Sequence, residues 1–569
     1  MSSVPLTGDD KPWHRRIVIC CDGTWQSSVA LKENVPSNVT KLCRHIARIG
    51  IDKDDPTKKF HQLVYYDSGI GTGNLSSSER KRQGGLGAGL AENVIEAYNF
   101  IVLNYQPGDE VFCFGFSRGA YTARAVAGLV TDIGVISPVD MQFFPEIYRA
   151  YMQNEEGDTF IETDAWKDFL NGPLSHKRQE PLRGDAKKLA QSWGAHSHSD
   201  LAVAPESRKV KIVGVFDTVG SLGVPDVAFV NNANFRTKYG FHNVKLNENI
   251  EHAFHALALD EKRKAFRPTL WYIDNDLIKS GKPIPELKQV WFPGVHINSG
   301  GGADDAISDM KGDLEHLSVA SFCWMLQCIS PYLTIDQSAF HASTAQYLRW
   351  LSTIRTSCTY YHDNWMDWAK KKLPDIPFLG SEEDHLEPPK RSKPHPHTEF
   401  DYGWGTGPIV DSYSGMYKLA GAYLRVPGHC EAEIYDPKSD EHKLTEISLH
   451  GRTNEYIHPI CHYRDLIRGP EPQSALKDFE RKFVAEAGGK GRFWWLKKGD
   501  KEERRLPEWV ILKDRDDTVN FERFWYGKTE KGEGVLGKLK GKGYERDWLD
   551  MMDEKVDFTV GAKKGWVYP

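Results

Sequence analysis

A nearly unbroken apolar run that passes directly into small residues is the feature that most limits how this chain can fold. The run is EVFCFGF at residues 110–116, and SRGAYTARAVAGLV follows it. Because almost no position in the run is polar, both faces of the resulting strand must be covered, as they are in a central parallel strand. We therefore predict a buried strand at 110–116 and a helix over 118–134, with small residues in its first turn.

The same alternation of strand and helix patterns extends along the chain. Strand patterns recur at residues 16–21, 61–73, 209–221 and 288–302, and helical spacing recurs at residues 39–48, 91–105 and 313–329. Alternation of this kind is typical of a mainly parallel sheet with helices on both faces. We predict an α/β fold with a doubly wound sheet, helical insertions and an aromatic-rich C-terminal extension.

The charge and the cysteine content exclude several classes of function. The 569 residues carry a net charge of −6, which gives no electrostatic reason to expect nucleic acid as a partner. None of the nine cysteines forms a C-x-x-C pair, so neither a zinc site nor a disulfide framework is predicted. We expect reduced thiols and no metal or organic cofactor. Because the sequence has no signal-peptide pattern and no apolar run of about 18 residues, we expect a cytoplasmic protein.

Ser117 stands at the junction between the apolar strand and the helix, within the pattern G-x-S-x-G. Gly115 and Gly119 place small residues two positions before and two positions after the serine, where a sharp strand-to-helix turn is crowded. Strand, turn and helix together predict a nucleophile elbow of the α/β-hydrolase type. The alternative is a structural serine in a turn. In an elbow, the helix N-terminus places the Arg118 N–H where it can donate to an oxyanion.

A nucleophilic serine needs a histidine as base and an acid to orient that histidine, in the chain order Ser, Asp/Glu, His. Asp217 ends the strand pattern VKIVGVF, at the sheet edge where such folds place their sites; its alternative role is to cap a turn. His296 lies between the pattern VWFPG and a glycine-rich loop, and its alternative role is that of a backbone-bonded loop residue. His252 and His255 fall in HAFHALALDEKR, whose spacing predicts a helix, so we interpret both as packing residues or as groups that support the site.

The loop CCDGTWQ after the first strand has three interpretations. In a hydrolase it supplies the second oxyanion donor, with the N–H of Gly23 or Thr24 as candidates and with Asp22 fixing the loop through its backbone. In phosphotransferases of the haloacid dehalogenase type, a nucleophilic aspartate stands two residues before the DGT aspartate, but that position is Cys20 here. The loop could also be a simple turn.

Five stretches that occur in order resemble a single family: IVICCDGTW, GFSRGAYTARAVAGL, VFDTVGSLG, ALALDEKRKAFRP and VWFPGVHINSGGG. The chain resembles the α/β-hydrolase domains of the family that includes the type VI secretion phospholipase effectors and many fungal proteins. The resemblance implies an α/β-hydrolase-like fold, with Ser117 as nucleophile, Asp217 as acid and His296 as base. It also implies an acyl lipid, such as a phospholipid, as the substrate class.

The loop after His296 departs from the family pattern. Family members often read GVHSDVGGGY there, and this chain has Asn298 at the position of that aspartate. If the aspartate serves as an alternative acid or supports the histidine, that role is lost here.

Changes in composition along the chain predict its domains. We expect a catalytic domain over residues 12–365, with an insertion or lid at about 136–208, where polar and aromatic residues interrupt the strand–helix rhythm. Residues 366–400 are rich in proline and charge and are predicted to form a linker or long loop. Residues 401–569 are rich in Trp and Tyr, and we expect them to pack in part on the catalytic domain.

The predicted function is hydrolysis of a carboxylic ester, in an acyl lipid or phospholipid, by a Ser-Asp-His triad through an acyl-enzyme. The alternative is a catalytically silent hydrolase fold that acts as a binding or scaffold protein. The substrate partner would be a small-molecule or lipid ester. The lysine-rich stretch 528–542 could make transient contact with a membrane surface or remain a solvated face.

Overall fold

The computed structural model describes the parts of the chain that build the sheet and its immediate surroundings. The described residues are 13–23, 35–68, 88–151, 160–163, 166–167, 203, 205–219, 246–303, 317–340, 342–343, 405, 409, 412–413, 418, 421–436, 441–468, 474–485, 491–499 and 505–511. The predicted linker at 366–400, the lysine-rich stretch 528–542 and most of the predicted lid lie outside them.

In the described part of the first 135 residues, one or two strands precede each α-helix, in the alternation that the sequence predicts. The strands are β1 (His14–Cys21), β2 (Val35–Ser37), β3 (Ile49–Ile51), β4 (Lys59–Asp67), β5 (Glu110–Phe116), β6 (Val210–Phe216), β7 (Ile250–Ala258), β8 (Ile273–Asp274), β9 (Glu286–Phe292), β10 (Gly301–Ala303), β11 (Glu431–Asp436), β12 (Glu441–Glu446), β13 (Gly451–Arg452), β14 (Glu455–Ile457), β15 (Phe479–Ala485), β16 (Gly491–Lys497) and β17 (Arg505–Pro507). The α-helices are α1 (Asn38–His45), α2 (Ala88–Asn104), α3 (Arg118–Asp132), α4 (Phe144–Tyr151), α5 (Asn275–Lys279), α6 (His296–Gly300), α7 (Val319–Ile329) and α8 (Ile460–Arg468).

The central sheet of the described part has eight strands in the order β14-β9-β7-β6-β5-β1-β4-β3. All neighbouring strands run parallel except β3, which pairs antiparallel with β4 at one edge. From β1 the chain builds outward first to one side and then to the other. The prediction of a doubly wound, mainly parallel α/β sheet is therefore confirmed.

Successive residues of β5 enter two separate cores, one on each face of the sheet. Phe112 and Phe114 pack in the core that α1 and α7 cover. Val111 and Cys113 pack in the core that α2 and α3 cover. Strand side chains alternate between faces, so an all-apolar strand needs cover on both sides. This is why the run EVFCFGF lies at the centre of the sheet.

The C-terminal region adds β14 to the edge of the sheet, parallel to β9. The indole Nε1 of the fully buried Trp291 in β9 donates to Glu455 Oε2 in β14, at 2.9 Å. Ile457, Trp495 and Trp509 are buried in the same core as β9. Large apolar side chains of the C-terminal region are thus part of the core on one face of the sheet.

The prediction of a helix around His252 and His255 is wrong, because these residues lie in strand β7. Short apolar runs give helical and strand spacing that cannot be distinguished by periodicity alone. The neighbouring strands make this segment a strand: β7 lies between β6 and β9, and its consecutive residues Ala253 and Phe254 enter opposite cores.

The turn between β5 and α3 depends on the two glycines that flank Ser117. A Cβ on Gly119 would overlap the carbonyl oxygens of Cys21 and Asp22, and a Cβ on Gly115 would overlap the backbone of Gly119 and Ala120. The obstructing atoms are backbone, which cannot rotate away as a side chain can. The helix can therefore approach β1 only because both positions lack a side chain.

We expect Gly119→Ala to lower the free energy of unfolding by about 1–3 kcal/mol, because the overlap with backbone forces the helix away from β1. The matched control is Gly128→Ala in the same helix, where the added Cβ would meet only the Tyr151 hydroxyl, at 3.1 Å. That change should stay within about 1 kcal/mol of wild type, since Ala also favours the helix. Urea unfolding followed by tryptophan fluorescence measures both, and equal losses would contradict the interpretation.

Candidate active site

Ser117 occupies a strained backbone position between β5 and α3. Its φ is 58° and its ψ is −122°, which a residue with a side chain rarely adopts. Such a conformation costs on the order of 1–3 kcal/mol and persists only where the surroundings hold it. Here the Ser117 N–H donates to the Phe216 carbonyl at the end of β6, at 3.1 Å. The geometry is that of a sharp strand-to-helix turn that presents the serine side chain at the carboxyl edge of the sheet.

The structure brings the three predicted catalytic side chains together. His296 Nε2 lies 2.8 Å from Ser117 Oγ, and His296 Nδ1 lies 2.6 Å from Asp217 Oδ2. The three residues come from the ends of different elements, after β5, after β6 and at the start of α6. They form a continuous hydrogen-bonded chain from hydroxyl to imidazole to carboxylate. His296 follows strand β9, as the sequence predicts, and stands at the first position of the short helix α6.

Asp217 is completely buried, and four hydrogen bonds satisfy its carboxylate. Oδ1 accepts from the Ala258 N–H at 3.0 Å and from Arg425 Nη1 at 2.6 Å. Oδ2 accepts from Arg425 Nη2 at 3.1 Å and is paired with His296 Nδ1. Burial alone would raise the pKa of Asp217, but the charge of Arg425 and the bond to His296 hold it well below its usual range. The carboxylate is therefore ionised at neutral pH.

His296 is neutral at the same pH. Burial lowers its pKa below the usual value, and the attraction of Asp217 offsets this only in part. The rings of Phe116 and Phe266 lie 4.9 and 4.8 Å from the imidazole, centre to centre. These aromatic neighbours explain why water does not solvate the imidazolium form well. A neutral imidazole whose Nε2 faces a hydroxyl can accept a proton from it.

Glu261, to which no sequence motif gives a role, fixes the backbone at His296. Its buried carboxylate accepts from the His296 N–H at 3.2 Å, from Arg263 Nη2 at 2.8 Å and from Ser412 Oγ at 3.0 Å. The stretch ALALDEKRKAFRP contains Glu261 and Arg263, but nothing local in it indicates that a carboxylate would reach a histidine backbone 35 residues away. Arg425 gave no local signal either.

Of the predicted oxyanion donors, the N–H groups of Arg118 and Gly23 both lie near Ser117, but the Gly23 N–H already has a hydrogen-bond acceptor. Arg118 begins α3, so its N–H lies at the positive end of the helix dipole, next to Ser117. Gly23 also lies beside the serine, because a Cβ on it would be 3.5 Å from Ser117 Cβ. However, the Gly23 N–H donates to Asp22 Oδ1 at 2.7 Å. Thr24 lies outside the described residues.

Asp22 bonds the Gly23 backbone in the loop after β1, as the sequence predicts, and it also has three side-chain partners. Its Oδ2 accepts from Ser37 Oγ at 2.6 Å, from Thr40 Oγ1 at 2.8 Å and from Tyr66 Oη at 2.8 Å. Burial still raises its pKa. These bonds tie the end of β1 to α1 and β4 and set the wall of the site beside Ser117.

Asn298, which stands at the position of the family aspartate, bonds to the backbone of its own helix. Its Oδ1 accepts from the Val295 N–H at 3.0 Å, which closes the first turn of α6 behind His296.

His255, the other candidate histidine, lies next to Asp217: its Nε2 accepts from the N–H of Thr218, the residue that follows Asp217, at 3.1 Å. Burial, followed by the charge of Arg124, lowers the pKa of His255 to about 3, so it is neutral and acts as an acceptor.

The geometry agrees with a comparison of the sequence with known families. Residues 15–328, more than half of the chain, match the model of the type VI secretion system (T6SS) phospholipase effector Tle1-like catalytic domain. The chain belongs to this family. The resemblance drawn from the five sequence stretches is therefore confirmed.

A curated relative is distant. An uncharacterised protein of Saccharomyces cerevisiae, YEL023C, is 23% identical over 269 residues, which cover 44% of this chain and 32% of the relative. The chain thus spans about a third of the length of that relative.

Within the described residues, no helix of this Tle1-like protein combines the length and the apolar character that crossing a bilayer requires. Nor do three or more His, Cys, Asp or Glu side chains in the described ranges converge on a point where a metal ion could bind.

We expect Glu261→Gln to lower the free energy of unfolding by about 3 kcal/mol near neutral pH. Burial raises the pKa of Glu261, but Arg263 reverses this and brings it to about 2, below the ordinary value of 4.5. A depressed pKa means that the carboxylate stabilises the fold fully above about pH 4.5 and that this contribution is lost as the pH falls towards 2. The deficit of the variant should therefore shrink in acid.

Urea unfolding at about pH 7 and at about pH 3.5 tests this. The control is Glu248→Gln, because Glu248 pairs with the exposed Lys282 at 2.6 Å on the surface. An exposed pair contributes on the order of 0–1 kcal/mol, so this variant should change little at either pH. A deficit for Glu261→Gln that is the same at both pH values would contradict the assignment.

Proposed function

We propose that this protein is a serine hydrolase that cleaves carboxylic esters of acyl lipids, including phospholipids, with Ser117 as nucleophile. The observation that carries the proposal is the chain of contacts from Ser117 Oγ to His296 Nε2 and from His296 Nδ1 to Asp217 Oδ2, at 2.8 and 2.6 Å. All three groups lie within hydrogen-bond reach in the order that acyl transfer to a serine requires.

In this mechanism, Ser117 Oγ attacks the ester carbonyl carbon while His296 Nε2 takes its proton. The ionised Asp217 accepts a hydrogen bond from His296 Nδ1–H and stabilises the imidazolium that forms. The tetrahedral intermediate collapses as His296 returns the proton to the leaving alkoxide, which gives an acyl-enzyme on Ser117. A water molecule, deprotonated by the same imidazole, then attacks the acyl carbonyl. As the second tetrahedral intermediate collapses, His296 returns this proton to Ser117 Oγ, which releases the carboxylic acid and restores the free enzyme.

The oxyanion of each tetrahedral intermediate needs backbone donors. The Arg118 N–H is the first, because it follows the nucleophile at the start of α3. The loop after β1 supplies the second, from Thr24 or from Gly23. Since the Gly23 N–H already donates to Asp22, its use would require that bond to be exchanged when substrate binds.

Two observations support a lipid as the acyl donor. The family to which the chain belongs is named for phospholipase effectors. The base also stands between two aromatic rings, Phe116 and Phe266, which gives the site apolar walls next to the reacting atoms. An acyl chain is more compatible with such walls than a charged or sugar ester is.

We expect a fluorophosphonate probe to label the wild-type protein on Ser117, because the activated hydroxyl attacks phosphorus as it would attack a carbonyl. Ser117→Ala should abolish labelling and lower the hydrolysis of short nitrophenyl esters at least about 1,000-fold. The matched control is Ser299→Ala in α6, where the buried hydroxyl donates to the Ala256 carbonyl at 3.1 Å. This variant should still be labelled.

Peptide mapping by mass spectrometry locates the probe. Turnover by Ser117→Ala equal to that of wild type would reject the proposed nucleophile. Absence of labelling in a correctly folded wild-type protein would favour the alternative, a catalytically silent scaffold.

We further expect the wild-type protein to release fatty acid from phosphatidylcholine vesicles, and Ser117→Ala not to. Lipid products are separated by mass spectrometry, with lysophospholipid and free fatty acid in equal amounts as the expected outcome of a single acyl cleavage. Hydrolysis of soluble esters without any cleavage of the vesicle lipid would keep the triad but contradict the phospholipid substrate.

A further inference from the structure

The acid of the site is held by a residue that lies far outside the segment that matches the family model. Arg425 belongs to the C-terminal region, 97 positions beyond the end of the match at residue 328. Its side chain is fully buried, and its two terminal nitrogens donate to both oxygens of the equally buried Asp217, at 2.6 and 3.1 Å. This fork-to-carboxylate geometry fixes a carboxylate in one plane as well as neutralising it.

The guanidinium is itself locked in place by the catalytic domain. Arg425 Nη1 also donates to the Ala258 carbonyl at 2.6 Å, and Nη2 donates to the Phe266 carbonyl at 2.5 Å. Ala258 ends β7, and its N–H bonds the same carboxylate. The arginine therefore bonds to Asp217, to the end of β7 and to the segment beside His296 at the same time.

The segment 421–428 delivers Arg425 to this place through backbone bonds. The Lys264 N–H donates to the Gly421 carbonyl at 3.2 Å, and the Tyr423 N–H donates to the Lys262 carbonyl at 2.8 Å. At its far end, the Gly428 N–H donates to Glu455 Oε2 at 2.8 Å. The segment thus runs from the loop that carries Glu261 and Arg263 to the edge strand β14.

We propose that Arg425 is a positioning residue that keeps Asp217 ionised and aligned with His296, so that the C-terminal region completes the catalytic site in the folded chain. This inference rests on the proposed serine hydrolase function and adds to it. Without the arginine, Asp217 would be a buried anion with one backbone donor and the imidazole as its remaining partners.

The consequence for pH dependence follows from the charges around the pair. Asp217 is faced by Arg425, His296 and the neutral His255, and His296 is faced in addition by Glu261 and Arg263. Cys430 lies near Arg425, but burial raises the pKa of its thiol, so it carries no charge.

Removing the positive charge of Arg425 makes it easier to add a proton to the Asp217–His296 pair. The pair would then be protonated, and inactive as a base, at a higher pH.

The experiment compares Arg425→Met with Arg425→Lys by measuring ester hydrolysis across pH. We expect Arg425→Met to shift the acid limb of kcat/KM upward by about one pH unit or more and to lower kcat about 100-fold with little change in KM. Arg425→Lys keeps the charge and loses the fork, so its acid limb should stay near that of wild type, with an intermediate kcat. An unshifted limb in Arg425→Met would overturn the proposal.

Arg464→Met is the matched control, because Arg464 is another fully buried arginine of the C-terminal region, and its Nη1 donates to the Gly405 carbonyl at 2.8 Å. It should lose stability without moving the acid limb. If Arg425→Met shifts the limb no more than this control does, the role of Arg425 is only structural.

Two further results keep the test decisive. If Arg425→Met does not fold, Arg425→Lys decides: a reduced kcat at unchanged KM supports the proposal, and a wild-type kcat overturns it. Fluorophosphonate labelling of wild-type Ser117 separates the two proposals, since labelling with an unshifted limb would reject the role of Arg425 and leave the hydrolase intact.

Discussion

A completely buried carboxylate, Asp217, is the constraint on which the proposed catalytic site depends. Burying an ionised group costs several kcal/mol unless hydrogen bonds and opposite charge offset it. Asp217 has four such contacts, from Ala258, Arg425 and His296, and they come from β7, from α6 and from the C-terminal segment 421–428. The carboxylate is stable in this state only when all three parts of the chain are in place, so folding and assembly of the site are coupled.

The parallel sheet explains how residues 100 and 79 positions apart meet. Strands β5 and β6 are neighbours, and Ser117 and Asp217 directly follow them. Because parallel strands all end at the same edge, the two side chains lie on one rim, and His296 reaches that rim from the end of β9. The strained backbone at Ser117 and the positive φ of 40° at Asp217 both lie at this rim, where the sheet and the packed helices hold them.

The family model ends at residue 328, but the buried core does not. Trp291 in β9 bonds Glu455, and Glu455 also accepts from the Gly428 N–H. These bonds connect the edge of the sheet to the segment that carries Arg425. The C-terminal region is therefore joined to the catalytic domain through the core, and the boundary of sequence similarity is not a boundary in packing. The matched segment contains Asp217 but not Arg425, the residue that pairs with its buried charge.

The sequence by itself determined the strand–turn–helix around Ser117, the alternating α/β order and the three triad candidates, because each depends on local spacing and on small residues at fixed positions. It could not determine whether HAFHALA forms a helix or a strand, since only the neighbours β6 and β9 decide that. It also could not identify Arg425 and Glu261, whose partners lie 208 and 35 positions away. Hydrogen bonds to a buried carboxylate or backbone leave no periodic pattern in the sequence, so only the tertiary structure could show which charged residues hold the acid and the base in place.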